Sequence, residues 1–159
     1  MRDLRSYVAI AVMLSLAACA TPAVPAASQI TRVVSTTSFG MCLGYCSTRL
    51  EITEGQAVLI REARGGRGAP RDLPEQRYTT PLTAAEWQDI QRLSASVDFE
   101  VLPETIGCPD CADGGAEGLT VAGPSGAESV SLEFGASVPQ AQPLLNRVRA
   151  IRDRLTPAQ

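Results

Sequence analysis

Alternation between polar and apolar side chains predicts three strands in the first part of the chain. Residues 30–37 are rich in β-branched side chains, which favour a strand. Residues 49–53 alternate between polar and apolar side chains, as a half-buried strand does, and residues 57–60 continue as a third strand. Only the short turn at Glu54 and Gly55 separates these two strands, so we expect them to be antiparallel.

Apolar side chains at three- and four-residue spacing predict two amphipathic helices. Thr83 and Glu86 have the spacing of a capping box, which marks the start of the first helix. Its apolar stripe consists of Trp87, Ile90, Leu93 and Val97. The second helix starts near Pro143 and ends before Pro157, and its stripe consists of Leu144, Val148, Ile151 and Leu155. Toward its carboxyl end, where the helix dipole favours cations, lie Arg147, Arg149, Arg152 and Arg154.

The remaining segments complete a prediction of the α+β class. Residues 119–121 and 130–134 flank the turn sequence Gly123-Pro124-Ser125-Gly126, which predicts a second hairpin. Residues 64–81 hold three glycines and three prolines, so we predict a loop there. The order β-β-β-α-β-β-α predicts an antiparallel sheet of about five strands with both helices packed on one face. We expect residues 30–159 to form a single globular domain.

The N-terminal residues predict export and a lipid anchor. Residues 8–16 form an apolar segment after two arginines, too short to span a bilayer, so residues 1–18 are predicted to be a signal peptide. The sequence Leu16-Ala17-Ala18-Cys19 resembles a lipobox, which predicts that Cys19 carries acyl chains such as palmitate. The alternative is ordinary secretion with cleavage at a small-x-small site around Cys19. Residues 19–29 then form a lipidated tether, and Ala20 resembles the sorting pattern of lipoproteins in an outer membrane facing the periplasm.

The composition restricts the chemistry that the chain can perform. All 14 basic residues are arginines, and the sequence contains neither lysine nor histidine. A Ser/His or Cys/His catalytic pair and a Schiff-base lysine are therefore excluded within this chain. The net charge of −3 argues against nucleic acid as a general partner. We predict a protein that is not an enzyme and uses no cofactor.

Four further cysteines form two closely spaced pairs, Cys42 with Cys46 and Cys108 with Cys111. An even number of cysteines in an exported domain favours disulfides, and proximity during oxidation favours these local pairs over crossing ones. Crossing pairs would give the larger gain in chain entropy and stay an alternative. Two others are a zinc site built from all four thiolates and a redox pair at Cys108 and Cys111.

Acidic residues surround the second cysteine pair. Asp110, Asp113 and Glu117 would raise the pKa of a neighbouring thiol, which argues against redox activity. Their oxygens suggest calcium, but their order does not match the twelve-residue calcium loop. We therefore predict an exposed acidic loop without a metal site.

The motif Phe39-Gly40-x-Cys42-x-x-Tyr45 resembles the opening motif of a domain of unknown function found in bacterial exported proteins and lipoproteins. The resemblance covers residues 30–155 and rests on this motif and on the order of the elements. The chain departs from the motif at Ser38, Leu43 and Cys46. The resemblance implies no established activity.

These observations predict a membrane-anchored lipoprotein of the cell envelope that acts as a binding or structural module. Its predicted partners are the lipid bilayer, through Cys19, and another envelope protein, through Tyr45, Asp110 and Asp113 on stiff loops. A periplasmic thiol-disulfide or metal-handling protein that uses the two cysteine pairs is the main alternative. An inhibitor of an exogenous hydrolase is a third.

Overall fold

The computed structural model describes residues 30–63 and 73–157. The predicted signal peptide, Cys19 and the tether lie outside the described residues, as do residues 64–72 of the predicted loop and residues 158–159 of the predicted domain. Among the helices in these described ranges, none has the length and apolar character needed to cross a membrane.

The described residues form an α+β fold with two helices and one seven-stranded sheet. The strands are β1 (Arg32–Ser38), β2 (Ser47–Thr53), β3 (Gln56–Glu62), β4 (Gln76–Pro81), β5 (Thr105–Ile106), β6 (Ala116–Gly123) and β7 (Gly126–Glu133). The helices are α1 (Ala84–Ala95), between β4 and β5, and α2 (Gln142–Leu155), after β7. Across the sheet the strand order is β4-β3-β2-β1-β6-β7-β5.

The predicted fold class and both predicted hairpins are confirmed, but the sheet is larger than expected and mixed. Strand β4 occupies residues that the sequence analysis assigned to a loop, which is wrong for that part. Apart from Tyr78 and Pro81 its residues are polar, as an edge strand allows, so the sequence shows no regular alternation of polar and apolar residues there. Strand β5 has two residues and runs parallel to β7, whereas all other neighbours are antiparallel.

One face of the sheet carries the core. The register places Val33, Leu50, Leu59 and Leu119 on this face, and all four are fully buried. They belong to one apolar cluster that also contains the stripes of both helices. Burial of these side chains, at about 25 cal/mol per Å² of apolar surface, is the main force that holds helices and sheet together.

Helix α1 begins with the predicted capping box. The Glu86 amide donates to Thr83 Oγ1 at 3.2 Å, and the Thr83 amide donates to Glu86 Oε2 at 3.0 Å. These bonds satisfy two amides that the first turn of a helix would leave without partners. The carboxylate of Glu86 accepts from the amide and the hydroxyl of Thr83 and from Arg154, and these bonds lower its pKa below the ordinary value.

Candidate functional site

Both disulfide-containing loops emerge at the same end of the sheet. The first loop, residues 39–46, joins β1 to β2, and the second loop, residues 108–115, leads into β6. Ser38 at the end of β1 lies opposite Ala116 at the start of β6. The two loops are therefore neighbours, and we call them together the loop end. The described chain begins at the opposite end of β1.

The structure joins Cys42 to Cys46 and Cys108 to Cys111. Their Cα atoms are 5.5 Å and 5.4 Å apart, within the usual disulfide range. These are the local pairs that the sequence analysis preferred to crossing pairs. Each bridge closes a short loop on itself, so each loop is stiffened independently of the other.

Gly40 is the point at which the two loops touch. Its amide donates to Asp110 Oδ1 at 3.2 Å. A Cβ atom added to Gly40 would lie 3.1 Å from Asp110 Oδ2 and 3.5 Å from Asp113 Oδ1. Two of the predicted binding residues, Asp110 and Asp113, thus lie side by side next to the first loop.

An aromatic pair lies beside this contact, since Phe39 precedes Gly40. The rings of Phe39 and Phe134 meet edge to face with centroids 4.8 Å apart. Gly115 has φ of +86°, and a Cβ atom there would lie 2.5 Å from the ring of Phe39. Since both the conformation and the space require glycine, this position fixes how closely β6 and the first loop approach each other.

The backbone of the second loop is held in an uncommon conformation. Asp110, Ala112 and Asp113 have φ values of +60°, +49° and +61°, in the left-handed region. The amide of Asp110 donates to the Gly115 carbonyl at 2.9 Å. The amide of Cys108 donates to Glu133 Oε2 at 3.3 Å. Together with the disulfide, these bonds hold both aspartates at the loop end.

Tyr45, the third predicted binding residue, has a different setting. Its hydroxyl donates to the carbonyl of Pro74 at 2.8 Å, just before β4. The guanidinium of Arg61 lies 5.1 Å from the centre of its ring, within the range of a cation–π contact. Tyr45 therefore anchors the first loop to β3 and the start of β4, whereas Asp110 and Asp113 are brought together at Gly40.

The most exposed large apolar side chains at the loop end were not among the predicted binding residues. Met41 is 80% exposed and Leu43 is 74% exposed, on either side of Cys42. We call this pair the apolar tip. The sequence held a signal for it, since two large apolar residues lie in a short stretch between two glycines and beside a cysteine. Such a stretch has no room to fold back and bury them.

Glu117 does not belong to the exposed acidic loop, so that part of the prediction is wrong. It lies on β6 with Leu119 and Val121 on the core face, and its side chain is 0% exposed. Arg149 Nη2 donates to Glu117 Oε2 at 2.6 Å, and Arg152 Nη2 donates to Oε1 at 2.7 Å. The calcium interpretation also fails at this residue, and the described parts of the chain hold no cluster of three metal-ligating side chains.

The two arginines set the charge state of Glu117. Burial alone would raise the pKa of this carboxyl, but the hydrogen bonds from Arg149 and Arg152 outweigh it and lower the pKa below its ordinary value of 4.5. Arg152 also donates to Ser35 on β1, and Arg149 donates to the carbonyl of Ala136 at 3.0 Å. These arginines, which the sequence analysis ascribed to the helix dipole, connect α2 to the sheet through specific bonds.

A polar recess of about 270 Å³ lies where β1, β2 and β3 approach the first loop. Its lining consists of Thr36, Thr37, Ser38, Ser47, Thr48, Arg49 and Glu62. Hydroxyl groups predominate, and the hydroxyls of Thr37 and Thr48 bind each other at 2.7 Å. The recess can hydrogen-bond a small polar molecule, but Asp110, Asp113 and Tyr45 do not line it.

No protein-family model matches the chain, and a search of curated proteins finds no match either. The resemblance at the motif from Phe39 to Tyr45 therefore stays a prediction.

Proposed function

We propose that this protein is a lipid-anchored lipoprotein of the cell envelope whose loop end binds another envelope component without catalysing a reaction. The observation that carries the proposal is the junction of two disulfide-closed loops through Gly40 and Asp110. Each loop is closed by its own disulfide and the two loops are joined by a hydrogen bond, so this surface loses few conformations when a partner binds. Binding through such a surface costs less ordering entropy.

The place of the loop end within the chain supports a role in reaching a partner. The predicted anchor at Cys19 precedes the first described residue, Ile30, by a short segment. Strand β1 has seven residues, so the loop end lies about 20 Å beyond the start of this strand at about 3.3 Å per residue. Anchored by Cys19 in an outer membrane, the protein would present its loop end to the periplasm.

The chemistry of the loop end supports binding rather than catalysis. The chain has no histidine or lysine to act as a base or nucleophile. Asp110 and Asp113 are exposed, whereas a carboxyl group that performs acid–base work is usually shielded from water. Charged, exposed and held in place, the two aspartates suit the recognition of a partner.

The alternative function is thiol-disulfide exchange, because Cys108 and Cys111 are both exposed. The neighbouring carboxylates of Asp110 and Asp113 disfavour the thiolate that such exchange needs. The 3-10 turn that begins at Cys111 has three residues, which is too short to supply a helix dipole. Reduction of an insulin disulfide by the reduced protein would support this alternative, and an unchanged insulin signal would argue against it.

Two measurements test the proposed function. The mature protein should begin at Cys19 and carry the mass of its acyl chains, and an unmodified amino terminus at Thr21 would contradict the anchor. Chemical crosslinking in the native envelope should capture a partner with the wild type. Asp113→Ala and Tyr45→Ala should each lose it while staying folded, because one removes a charge and the other frees the first loop from Pro74.

Glu128→Gln is the matched control for Asp113→Ala, since Glu128 is an exposed carboxylate on β7, at a distance along the strand from the loop end. This variant should capture the partner at the wild-type yield. Equal yields from all four proteins would show that Asp113 and Tyr45 do not belong to the binding surface.

A further inference from the structure

We infer that the partner is a protein with an apolar pocket bordered by cationic side chains, which receives Met41 and Leu43. This inference rests on the proposed binding function and adds the chemistry of the partner. Three observations carry it: the exposure of the apolar tip, the bonds that hold its loop and the carboxylates beside it.

The exposure of the apolar tip to water is unfavourable in free energy. Met41 and Leu43 leave most of their side-chain surface in water, although large apolar side chains are stabilised by burial. The exposed pair lies on a loop that is held by the Cys42–Cys46 disulfide, on one side of Met41, and by the Tyr45 bond to Pro74. A fixed loop cannot turn these side chains inward, so a complementary surface is what buries them.

Acidic groups lie next to the tip on the side of the second loop. Asp110 accepts from the amide of Gly40, the residue before Met41, and Asp113 Oδ1 would lie 3.5 Å from a Cβ atom at Gly40. Glu133 accepts from the amide of Cys108. From residue 95 to residue 145 the sequence has eight acidic residues and no basic one. A pocket that closes over the tip meets these carboxylates at its rim, where cationic side chains are favoured and anionic ones are repelled.

Shape and charge point to a protein rather than to a membrane or a small molecule. A small ligand needs a concave site that encloses most of its surface, whereas Met41 and Leu43 leave most of their own surface in water. Anionic lipid headgroups repel the carboxylates of Asp110 and Asp113. A protein pocket supplies both the apolar interior for Met41 and Leu43 and a rim of lysine or arginine.

The test uses agarose beads of defined chemistry as the probe. The beads carry six-carbon chains that end in an ammonium, a methyl or a carboxylate group. The protein is the mature full chain with Cys19→Ser, which lacks acyl groups that would bind every bead. Retention should be strongest on the ammonium beads and should fall as salt is added, because exposed charge pairs are screened.

Variants assign the retention to the tip. Met41→Ser/Leu43→Ser should lower retention on both the ammonium and the methyl beads. Asp110→Asn/Asp113→Asn should lower retention on the ammonium beads alone, by about threefold, which corresponds to one exposed ion pair. The matched control is Asp98→Asn/Glu100→Gln/Val101→Ser, which alters an exposed valine, 63% accessible, and two nearby carboxylates. It should leave retention unchanged.

Three results would overturn the inference: equal retention on ammonium and methyl beads, an equal loss in the control variant, or binding of the tip to phosphatidylglycerol vesicles. If the tip variants also lose the crosslinked envelope partner while the beads show no preference for ammonium, the cationic chemistry is wrong and the proposed function stands. If the envelope partner is captured equally without Met41, Leu43, Asp110 and Asp113, the proposed function fails as well.

Discussion

The substitution Glu117→Gln removes the charge that holds two arginines of α2 against β6. In the wild type, the buried carboxylate accepts bonds from Arg149 and Arg152, and Arg152 also binds Ser35 on β1. Glutamine has nearly the same volume, so the substitution changes charge and hydrogen bonding without opening a cavity. The perturbation therefore isolates the electrostatic part of the contact between helix and sheet.

The exposure of the two arginines sets the size of the effect. Removing one partner of a buried ion pair costs about 3–5 kcal/mol, because the remaining charge stays buried without compensation. Arg152 is 9% exposed and cannot reach water without moving the helix, whereas Arg149 is 22% exposed and can turn outward. The amide oxygen of glutamine still accepts one bond. We therefore expect a loss near the lower limit, about 3 kcal/mol.

Urea denaturation with both disulfides intact measures this loss. Trp87 is the single tryptophan and belongs to the core cluster, so its fluorescence reports on the packing of α1 against the sheet. The exposed Glu128→Gln serves as the control and should change the free energy of unfolding by less than about 0.5 kcal/mol. If Glu117→Gln lowers the free energy of unfolding no more than this control does, the ion pairs of Glu117 with Arg149 and Arg152 do not stabilise the fold, and the prediction is wrong.

Three further predictions concern other parts of the fold. Thr83→Ala should cost about 1 kcal/mol in urea denaturation, because it removes the oxygen that caps α1, and no loss would contradict the capping box. The pKa of the Glu117 carboxyl is lower in the folded chain than its ordinary value of 4.5. The ionised carboxylate therefore stabilises the fold fully above pH 4.5, and this contribution is lost as the pH falls through the folded pKa. Urea midpoints should therefore drop between pH 7 and pH 3, less steeply in Glu117→Gln, and equal slopes would contradict this. Gly115→Ala should lower the thermal midpoint more than Gly44→Ala does. Both glycines have positive φ, but only at Gly115 would the added Cβ atom collide with the ring of Phe39. Equal thermal midpoints would show that this ring moves aside without cost.

Local patterns made most of the fold predictable. The alternation in β2, the turn at Glu54 and the stripe from Trp87 to Val97 each lie within a few residues, so the sequence reveals them directly. Strand β4 was not predicted because it lies at the sheet edge, where Tyr78 and its neighbours need not be strongly apolar. Strand β5 was not predicted because it has only two residues, and its parallel pairing with Ser131 and Leu132 forms only once the rest of the sheet is in place.

Long-range contacts limited the prediction of the site. The disulfides follow from spacing, and the sequence places Asp110 near Cys111, but only the fold brings Asp110 to Gly40, 70 residues earlier. Glu117 has the spacing of a core position on β6, yet its partners Arg149 and Arg152 lie more than 30 residues away. A carboxylate in such a position looks exposed in the sequence because the charges that allow its burial are remote.

Position-resolved photo-crosslinking tests the central claim, that the loop end is the binding surface, most directly. A photoreactive residue replaces Leu43 in one variant of the lipidated protein and the exposed Ser129 of β7 in another. After irradiation of intact cell envelopes, we predict one defined crosslinked protein from position 43, lost when Asp113→Ala is added, and no such product from position 129. The same product from both positions, or none from position 43, would contradict the account.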